Sequence, residues 1–239
     1  HAVFQKDVEF FDLKLSIVDE QHRFGVNQRL ALGDKGIKVD VLVMTATPIP
    51  RSLELAQYGD MDVSVLDEKP PGRKPITTAA MPVERIVDVV SKLRSVIADG
   101  CQVYWVCPLV EESEFMDLTA AEERFKYLRA ALGDQNVGLV HGQMSSVEKD
   151  SAMTSFVSGS TRVLVATTVI EVGVDVPNAT IMVIERAENF GLAQLHQLRG
   201  RVGRGSDAST CILMYQSPLT KSAEQRLSIL RETEDGFKI

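Results

Sequence analysis

The stretch VGLVHGQMSSVEKDSAMTSFVSGSTRVLVA, residues 137–166, decides the fold. It holds a short apolar run at Val137–Val140, a helix-patterned segment at Ser146–Val157 and a second apolar run at Val163–Ala166. Ser145 stands directly before the helical segment, where a serine hydroxyl can cap the first backbone N–H groups. A strand, a helix and a strand in this order predict two parallel strands with the helix packed on one face of their sheet.

The same alternation continues on both sides of that unit, from residue 76 to residue 233. Further strands are predicted at Ile76–Met81, Val103–Val106, Thr180–Ile184 and Cys211–Tyr215. Further helices are predicted at Val83–Ala98, Leu118–Leu132, Leu192–Arg199 and Lys221–Thr233. Strands and helices that alternate in this way predict an α/β fold, in which a mostly parallel sheet carries helices on both faces.

The first part of the chain shows the same pattern over a shorter length. Strands are predicted at Leu13–Val18 and Val39–Met44, with a helix at Asn27–Leu32 between them and another at Pro48–Tyr58 after them. Two strands are too few for an independent domain. We therefore expect residues 1–68 to be the C-terminal half of an α/β domain that begins upstream.

Residues 67–75, with the sequence DEKPPGRKP, interrupt the alternation. Three prolines, one glycine and five charged residues cannot form a core element, and the prolines keep the backbone extended. This segment predicts an interdomain linker between residues 1–68 and a complete second α/β domain at 76–217. Residues 218–239 are predicted to begin a helical segment of their own.

Composition excludes several classes of protein. The 239 residues are 44% apolar and 25% charged, which suits a folded globular protein and not a disordered one. No apolar run approaches the roughly 20 residues that cross a bilayer. Three cysteines without a CxxC pair argue against a zinc site and a disulfide framework, and favour a reducing cytosol.

The net charge of −7 argues at first sight against a nucleic-acid partner. Residues 1–68 hold 7 basic and 12 acidic residues, a charge of −5, whereas residues 69–239 hold 19 and 21, a charge of −2. Because net charge says little about a local groove, a few placed side chains can still bind a phosphate backbone.

Polar residues follow both predicted strands of the first part. Asp19-Glu20 comes at the end where open α/β sheets bind ligands, and an aspartate there can hold Mg²⁺ while a glutamate activates water. Thr45 and Thr47 follow the next strand, and their hydroxyls can link such a site to a phosphate backbone. Taken alone, Asp19-Glu20 is more often a solvated strand end, and Thr45 and Thr47 are more often a helix cap before Pro48.

Two further strand ends carry residues that suit phosphate contacts. His141-Gly142 follows the strand at 137–140, and Thr167-Thr168 follows the strand at 163–166. Hydroxyl and N–H groups at a helix start can bind a backbone phosphate. Gly173 permits close approach of the backbone and Asp175 can bond a ribose hydroxyl. A plain loop donor and a plain helix start are the structural alternatives.

The segment QLRGRVGRG at 197–205 is the most specific of these features. It carries Arg199, Arg201 and Arg204 within six residues, spaced by glycines, at the end of a predicted helix. We expect all three guanidinium groups to be exposed on the helix-to-loop exit. Arginines in such a position suit phosphates, where they stabilise developing negative charge.

The order of these motifs resembles that of superfamily 2 helicases. The phrases DEQHRFGV at 19–26, TATPIPR at 45–51 and FGLAQLHQLRGRVGR at 190–204 look like the RecG branch, and its relative Mfd shares the last two. The phrases EKPPGR at 68–73 and YWVCPLVEESE at 104–114 favour RecG over Mfd. The resemblance covers essentially the whole chain.

This resemblance assigns a role to each candidate residue. Asp19 would hold Mg²⁺ with the nucleotide, and Glu20 would activate water. The residues that would act on the γ-phosphate of ATP are Gln197, Arg201 and Arg204. Gly173 and Asp175 would contact other parts of the nucleotide. Those that would contact DNA or couple it to the nucleotide are Thr45, Thr47, Arg51, His141, Gly142, Thr167 and Thr168.

For the whole protein, the resemblance implies an ATP-dependent DNA helicase with two RecA-like (P-loop NTPase type) motor domains in three layers. Such a motor remodels stalled forks and Holliday junctions in recombination and repair. The partners that the resemblance implies are branched DNA and a single-strand DNA-binding protein. It also implies that the whole protein is a monomer and that it works at the nucleoid in the bacterial cytosol. Residues 218–239 would begin the helical hairpin that follows the motor. Mfd-like coupling to transcription stays open as the alternative.

One element of the family pattern is absent from the 239 residues. No G-x-x-x-x-G-K-[ST] loop occurs, although this loop cradles nucleotide phosphates and the resemblance implies one upstream of His1. We therefore expect these 239 residues by themselves to be inactive in ATP hydrolysis, and at most to act as a weak DNA-binding module.

Overall fold

A computed structural model describes most of the chain in two compact units, His1–Val63 and Ser64–Ile239. The residues described are 8–19, 39–45, 62–66, 68, 70–108, 114–167 and 176–236. The helices predicted at 27–32 and 48–58 lie outside these ranges. The division between the units falls just before the predicted linker.

The first unit contains the two predicted strands. Strand β1 spans Leu15–Val18 and strand β2 spans Asp40–Val43. They pair in parallel, with Val18 opposite Val43. Parallel strands run in the same direction, so both end at the same edge of their sheet. Asp19 and Thr45 therefore follow the strands at one common edge.

The second unit is a six-stranded sheet with helices between the strands. Its strands are β3 (Ile76–Pro82), β4 (Gln102–Cys107), β5 (Val137–Val140), β6 (Val163–Thr167), β7 (Ala179–Ile184) and β8 (Ser209–Tyr215). Its α-helices are α1 (Ile86–Ala98), α2 (Glu114–Leu132), α3 (Ser146–Val157), α4 (Leu192–Arg199) and α5 (Lys221–Glu232). Three short 3₁₀ turns lie at Val83–Arg85, Asp134–Asn136 and Ala187–Asn189. Every strand and helix predicted for this part is confirmed, with shifts of a few residues at the ends.

The strand order is β3-β8-β7-β4-β6-β5, and every neighbouring pair is parallel. All six strands therefore begin at one edge of the sheet and end at the other. We call the first the amino edge, where Ile76 and Ser209 start their strands. We call the second the carboxyl edge, where Thr167 and Ile184 end theirs.

Alternate side chains of the central strands feed two hydrophobic cores. Tyr104 and Val106 of β4 join one core, which α3, α4 and α5 cover. Val103 and Trp105 of the same strand join the other, which α1 and α2 cover. Because both faces of the strands are buried, they read as continuous apolar runs. The predicted helix layers on both faces are confirmed, and Trp105 is fully buried.

Helix α3 begins with the cap that the sequence predicts. The Ser145 hydroxyl accepts a hydrogen bond from the Glu148 backbone N–H at 3.3 Å, and the Glu148 carboxylate accepts one from the Ser145 backbone N–H at 2.9 Å. These hydrogen bonds from Ser145 lower the pKa of the Glu148 carboxyl below its ordinary value. This reciprocal pair is a capping box.

The three free cysteines of the second unit differ in their exposure to solvent. Cys107 and Cys211 are buried in β4 and β8, while Cys101, just before β4 at the amino edge, is partly accessible. Burial raises the pKa of the Cys107 thiol, and the nearby Glu185 carboxylate raises it further. Burial raises the pKa of Cys211 to about 12. Among the described helices, none is both long and apolar enough to cross a membrane.

Candidate functional site

The carboxyl edge brings together three of the predicted DNA-contact residues. Thr167 ends β6, and the pairing of Val140 with Ala166 places His141 beside it. Thr167 is buried, whereas His141 is partly exposed. Among the described buried polar atoms, the His141 Nδ1 nitrogen is one without a hydrogen-bond partner. An orphaned buried nitrogen is costly to stability.

Gly142 is exposed and is the second residue of a turn on the same edge, directly after His141. Its carbonyl accepts a hydrogen bond from the Lys149 side chain at 2.8 Å, and the Met144 N–H closes the turn on His141. A β-carbon added at Gly142 would meet no atom within 4 Å. The protein therefore leaves open space at this turn, into which a ligand can approach the backbone.

The residues 200–205, which we call the arginine loop, lie at the opposite edge. Helix α4 runs from the end of β7 back toward the start of β8, and the loop follows it. A β-carbon at Gly203 would lie 2.8 Å from Cγ1 of Ile76, the first residue of β3. One at Gly205 would lie 3.3 Å from the carbonyl oxygen of Pro177, just before β7. The loop is therefore pressed against the amino edge.

Gln197, Arg201 and Arg204 are all partly buried at the exit of α4. The Arg201 N–H donates to the Leu198 carbonyl at 3.0 Å, which continues the helical turn into the loop. The Nε of Arg204 donates to the Gly200 carbonyl at 3.3 Å. The three predicted γ-phosphate residues thus belong to one locally ordered segment.

Arg199 corrects the expectation that three guanidinium groups are exposed there. It is 2% exposed, and its guanidinium donates to the carbonyls of Leu230 at 2.6 Å and Thr233 at 2.9 Å. Burial lowers its pKa. Arg199 falls one helical turn after Leu195 on the buried face of α4, so the 3.6-residue periodicity could have placed it inside. It ties α4 to the end of α5.

The remaining predicted site residues divide between the first unit and the undescribed segments. Asp19 and Thr45 are exposed after β1 and β2. Carboxylate oxygen is the ligand that Mg²⁺ prefers, so Asp19 fits the predicted metal role by its donor chemistry. The predicted site residues that lie outside the described ranges are Glu20, Thr47, Arg51, Thr168, Gly173 and Asp175.

A buried polar network at the carboxyl edge escaped the sequence analysis. Glu185 follows β7 and accepts hydrogen bonds from the indole N–H of Trp105 and from both Nε and a terminal nitrogen of Arg124. The Arg124 guanidinium also lies 5.9 Å from the Trp105 ring centre and 5.3 Å from that of Tyr127. Because these residues lie far apart in sequence, no local spacing connects them.

Comparison of the sequence with protein-family profiles identifies the family of this chain. The profile of the helicase conserved C-terminal domain matches residues 87–206, half of the chain. The chain belongs to that helicase family. The matched range runs from the start of α1 through the arginine loop, and it includes His141 and Thr167.

Similar proteins that are named as helicases align with this chain over its whole length. ATP-dependent DNA helicase RecG of Escherichia coli (strain K12) is 56% identical over an alignment of 244 positions, which covers all of this chain and 35% of that protein. RecG of Thermotoga maritima is 51% identical over 240 residues, covering 31% of its length. The chain thus spans about a third of the length of the curated relatives it matches.

A solved structure of RecG bound to a three-way DNA junction matches with a TM-score of 0.80 and 47% identity. The match covers all of this chain and 30% of that one. The resemblance to RecG that the motifs predict is confirmed, and so is the mostly parallel sheet of a RecA-like helicase domain.

Proposed function

We propose that this chain is motor-domain sequence of an ATP-dependent DNA helicase that remodels branched DNA. The observation that carries the proposal is the division of the predicted residues between two edges of one sheet. The arginine loop occupies the amino edge, and His141, Gly142 and Thr167 occupy the carboxyl edge. Similarity to RecG over the whole chain supports reading the two edges as a nucleotide side and a DNA side.

On the nucleotide side, Arg201 and Arg204 present positive charge to the γ-phosphate, and Gln197 adds a polar contact. Arginine suits this role because its planar fork bonds phosphate oxygens in pairs. The left-handed backbone of Gly203, with φ +73°, turns the loop sharply between the two arginines. The loop's contacts with the starts of β3 and β7 hold it in place. We assign the remaining nucleotide contacts to Gly173 and Asp175.

From the first unit, Asp19 would hold Mg²⁺ and Glu20 would orient and deprotonate a water molecule. ATP supplies the phosphoanhydride bond whose hydrolysis drives movement. Asp19 lies at the end of a parallel strand, where open α/β sheets bind ligands. Thr45, Thr47 and Arg51 follow the neighbouring strand and would couple this site to DNA.

On the DNA side, three kinds of donor meet at the ends of neighbouring strands. The His141 imidazole, the Gly142 backbone and the Thr167 hydroxyl bond phosphate oxygens, and we assign the same role to Thr168. His141 is partly exposed, so its ring can reach a phosphate oxygen at this edge. Such contacts position DNA without reading its sequence.

The domain limits follow from the same proposal. Residues 67–75 link the first motor domain to a second one at 76–217, and residues 218–239 begin the helical hairpin with α5. The resemblance to RecG also favours a whole protein that is a monomer in the bacterial cytosol. It further favours contact with a single-strand DNA-binding protein.

The test of this proposal is Arg201→Ala in the full-length protein that carries these residues. An arginine that stabilises charge on the transferred phosphate contributes roughly 10³ to 10⁵ in rate. DNA-stimulated ATP hydrolysis should fall by that factor, while Arg94→Ala, an exposed arginine of α1, should leave it unchanged. DNA-stimulated turnover near the normal rate in Arg201→Ala would contradict the proposal.

A further inference from the structure

Arg186 has an unusual backbone. Its φ of 46° and ψ of 49° place it in the left-handed region, and among the described residues it is the one non-glycine residue with positive φ. A side chain with a β-carbon is disfavoured in this conformation. Strain of this kind persists only where the surroundings enforce it, and it gathers at functional sites.

The neighbours of Arg186 enforce its position. Glu185 before it is held in the buried network with Arg124 and Trp105, and Ala187 after it is fully buried. With both neighbours fixed inside, the side chain of Arg186 points to solvent. A sharp turn of this kind would accept glycine or asparagine more easily, so the turn alone does not account for an arginine.

The guanidinium of Arg186 is also oriented. One of its terminal nitrogens donates to Oε1 of Gln216 at 2.9 Å, and Gln216 follows β8. The charged group therefore lies at the carboxyl edge, between the ends of β7 and β8. The nearest carboxylate in sequence, Glu185, is already bonded by Arg124, so it has its counter-ion in place.

The strand order sets the distance from Arg186 to the predicted DNA-contact residues. Between β7 and β5 the sheet steps through β4 and β6, which is three strand spacings. At about 4.8 Å per spacing, Arg186 stands about 14 Å along the edge from His141. Since phosphates of one strand advance by about 3.4 Å along the duplex axis, an edge of this length passes several of them.

We infer that Arg186 is a further DNA-binding residue, which bonds a phosphate of the DNA backbone at the carboxyl edge. The inference rests on the proposed function, because it takes that edge as the DNA side. Gln216 holds one arm of the planar guanidinium, and the fork suits a phosphate. This position extends the contact surface from the β5–β6 side of the sheet across to β7 and β8.

The experiment compares Arg186→Gln with Arg94→Gln in the 239-residue chain. Both substitutions remove one positive charge from an exposed arginine whose side chain donates a hydrogen bond, to Oε1 of Gln216 in the first case and to the Ala131 carbonyl in the second. Affinity for a short DNA duplex is measured by fluorescence anisotropy across a salt series. Arg186→Gln should weaken binding roughly tenfold and flatten the slope of log affinity against log salt by about one. Arg94→Gln should match the unchanged chain.

Two additional variants keep the result interpretable. Arg186→Asn removes the charge but tolerates the left-handed backbone, so it should lose the same affinity while its unfolding midpoint stays equal or rises. His141→Ala reports on the carboxyl edge independently. If His141→Ala weakens binding and Arg186→Gln behaves like Arg94→Gln, the role of Arg186 is wrong and the proposed function stands. If the unchanged chain shows no salt-dependent binding, both are overturned.

Discussion

The two edges of the six-stranded sheet are built in different ways. At the amino edge, the candidate residues come from one continuous segment, the last turn of α4 and the arginine loop. At the carboxyl edge, His141, Thr167 and Glu185 come from three different strands that only the fold brings together. A local segment can be recognised from its sequence, whereas an edge assembled from distant strands is visible only once their order is known.

The largest effect on stability should come from the carboxyl edge, with Glu185→Ala. Removing this carboxylate leaves the Arg124 guanidinium partly buried beside two aromatic rings without its partner, which costs about 3–5 kcal/mol. Urea unfolding followed by the fluorescence of Trp105, the single tryptophan, measures the second unit directly.

The double variant Glu185→Ala with Arg124→Met serves as the control for that measurement. It removes both charges and should recover part of the lost free energy of unfolding. A Glu185→Ala chain as stable as the original would mean that the carboxyl edge does not depend on this network.

A matched pair of glycines compares the edges directly. Gly203→Ala forces a β-carbon to within 2.8 Å of Ile76 in a left-handed backbone, and should lower the free energy of unfolding by about 1–3 kcal/mol. Gly142→Ala meets open space and should change it by less than about 0.5 kcal/mol. Equal effects of the two substitutions, measured by the same urea unfolding, would remove the contrast between a packed edge and an open one.

Apart from the control Gly142→Ala, the smallest loss of stability is expected at the start of α3, which follows the turn at Gly142. Ser145→Ala removes the cap and should cost about 1 kcal/mol near neutral pH. Because the pKa of Glu148 is lowered in the folded chain, its contribution is present above the ordinary carboxyl pKa and is lost as the pH falls through the lower folded value.

Unfolding midpoints of Ser145→Ala and of the unchanged chain, measured at neutral and at acidic pH, check this prediction. The difference between the two chains should shrink toward acidic pH as Glu148 takes up its proton. A difference that stays constant would show that the carboxylate takes no part in the cap.

Sequence alone predicted most of the second unit because β4, β6 and β7 are buried apolar runs and Ser145 marks the start of α3. The end of α4 shows where such reasoning fails. Arg199 reads like its exposed neighbours in the arginine loop, yet its guanidinium caps carbonyls at the end of α5, 31 and 34 residues later. Likewise, the residues around Glu185 in the sequence do not predict its ion pair with Arg124, which lies 61 residues before it. Both contacts depend on tertiary packing, and a short motif carries no information about it.

Because two of the three cysteines are buried, the third can be labelled selectively with a thiol reagent. Thiol reagents attack the thiolate, and the raised pKa values of Cys107 and Cys211 keep both as protected thiols near neutral pH. Cys101 remains as the accessible position, and it sits at the amino edge before β4. A dye with environment-sensitive emission attached at Cys101 would therefore mark a single site, on the same edge as the arginine loop, without any cysteine having to be removed.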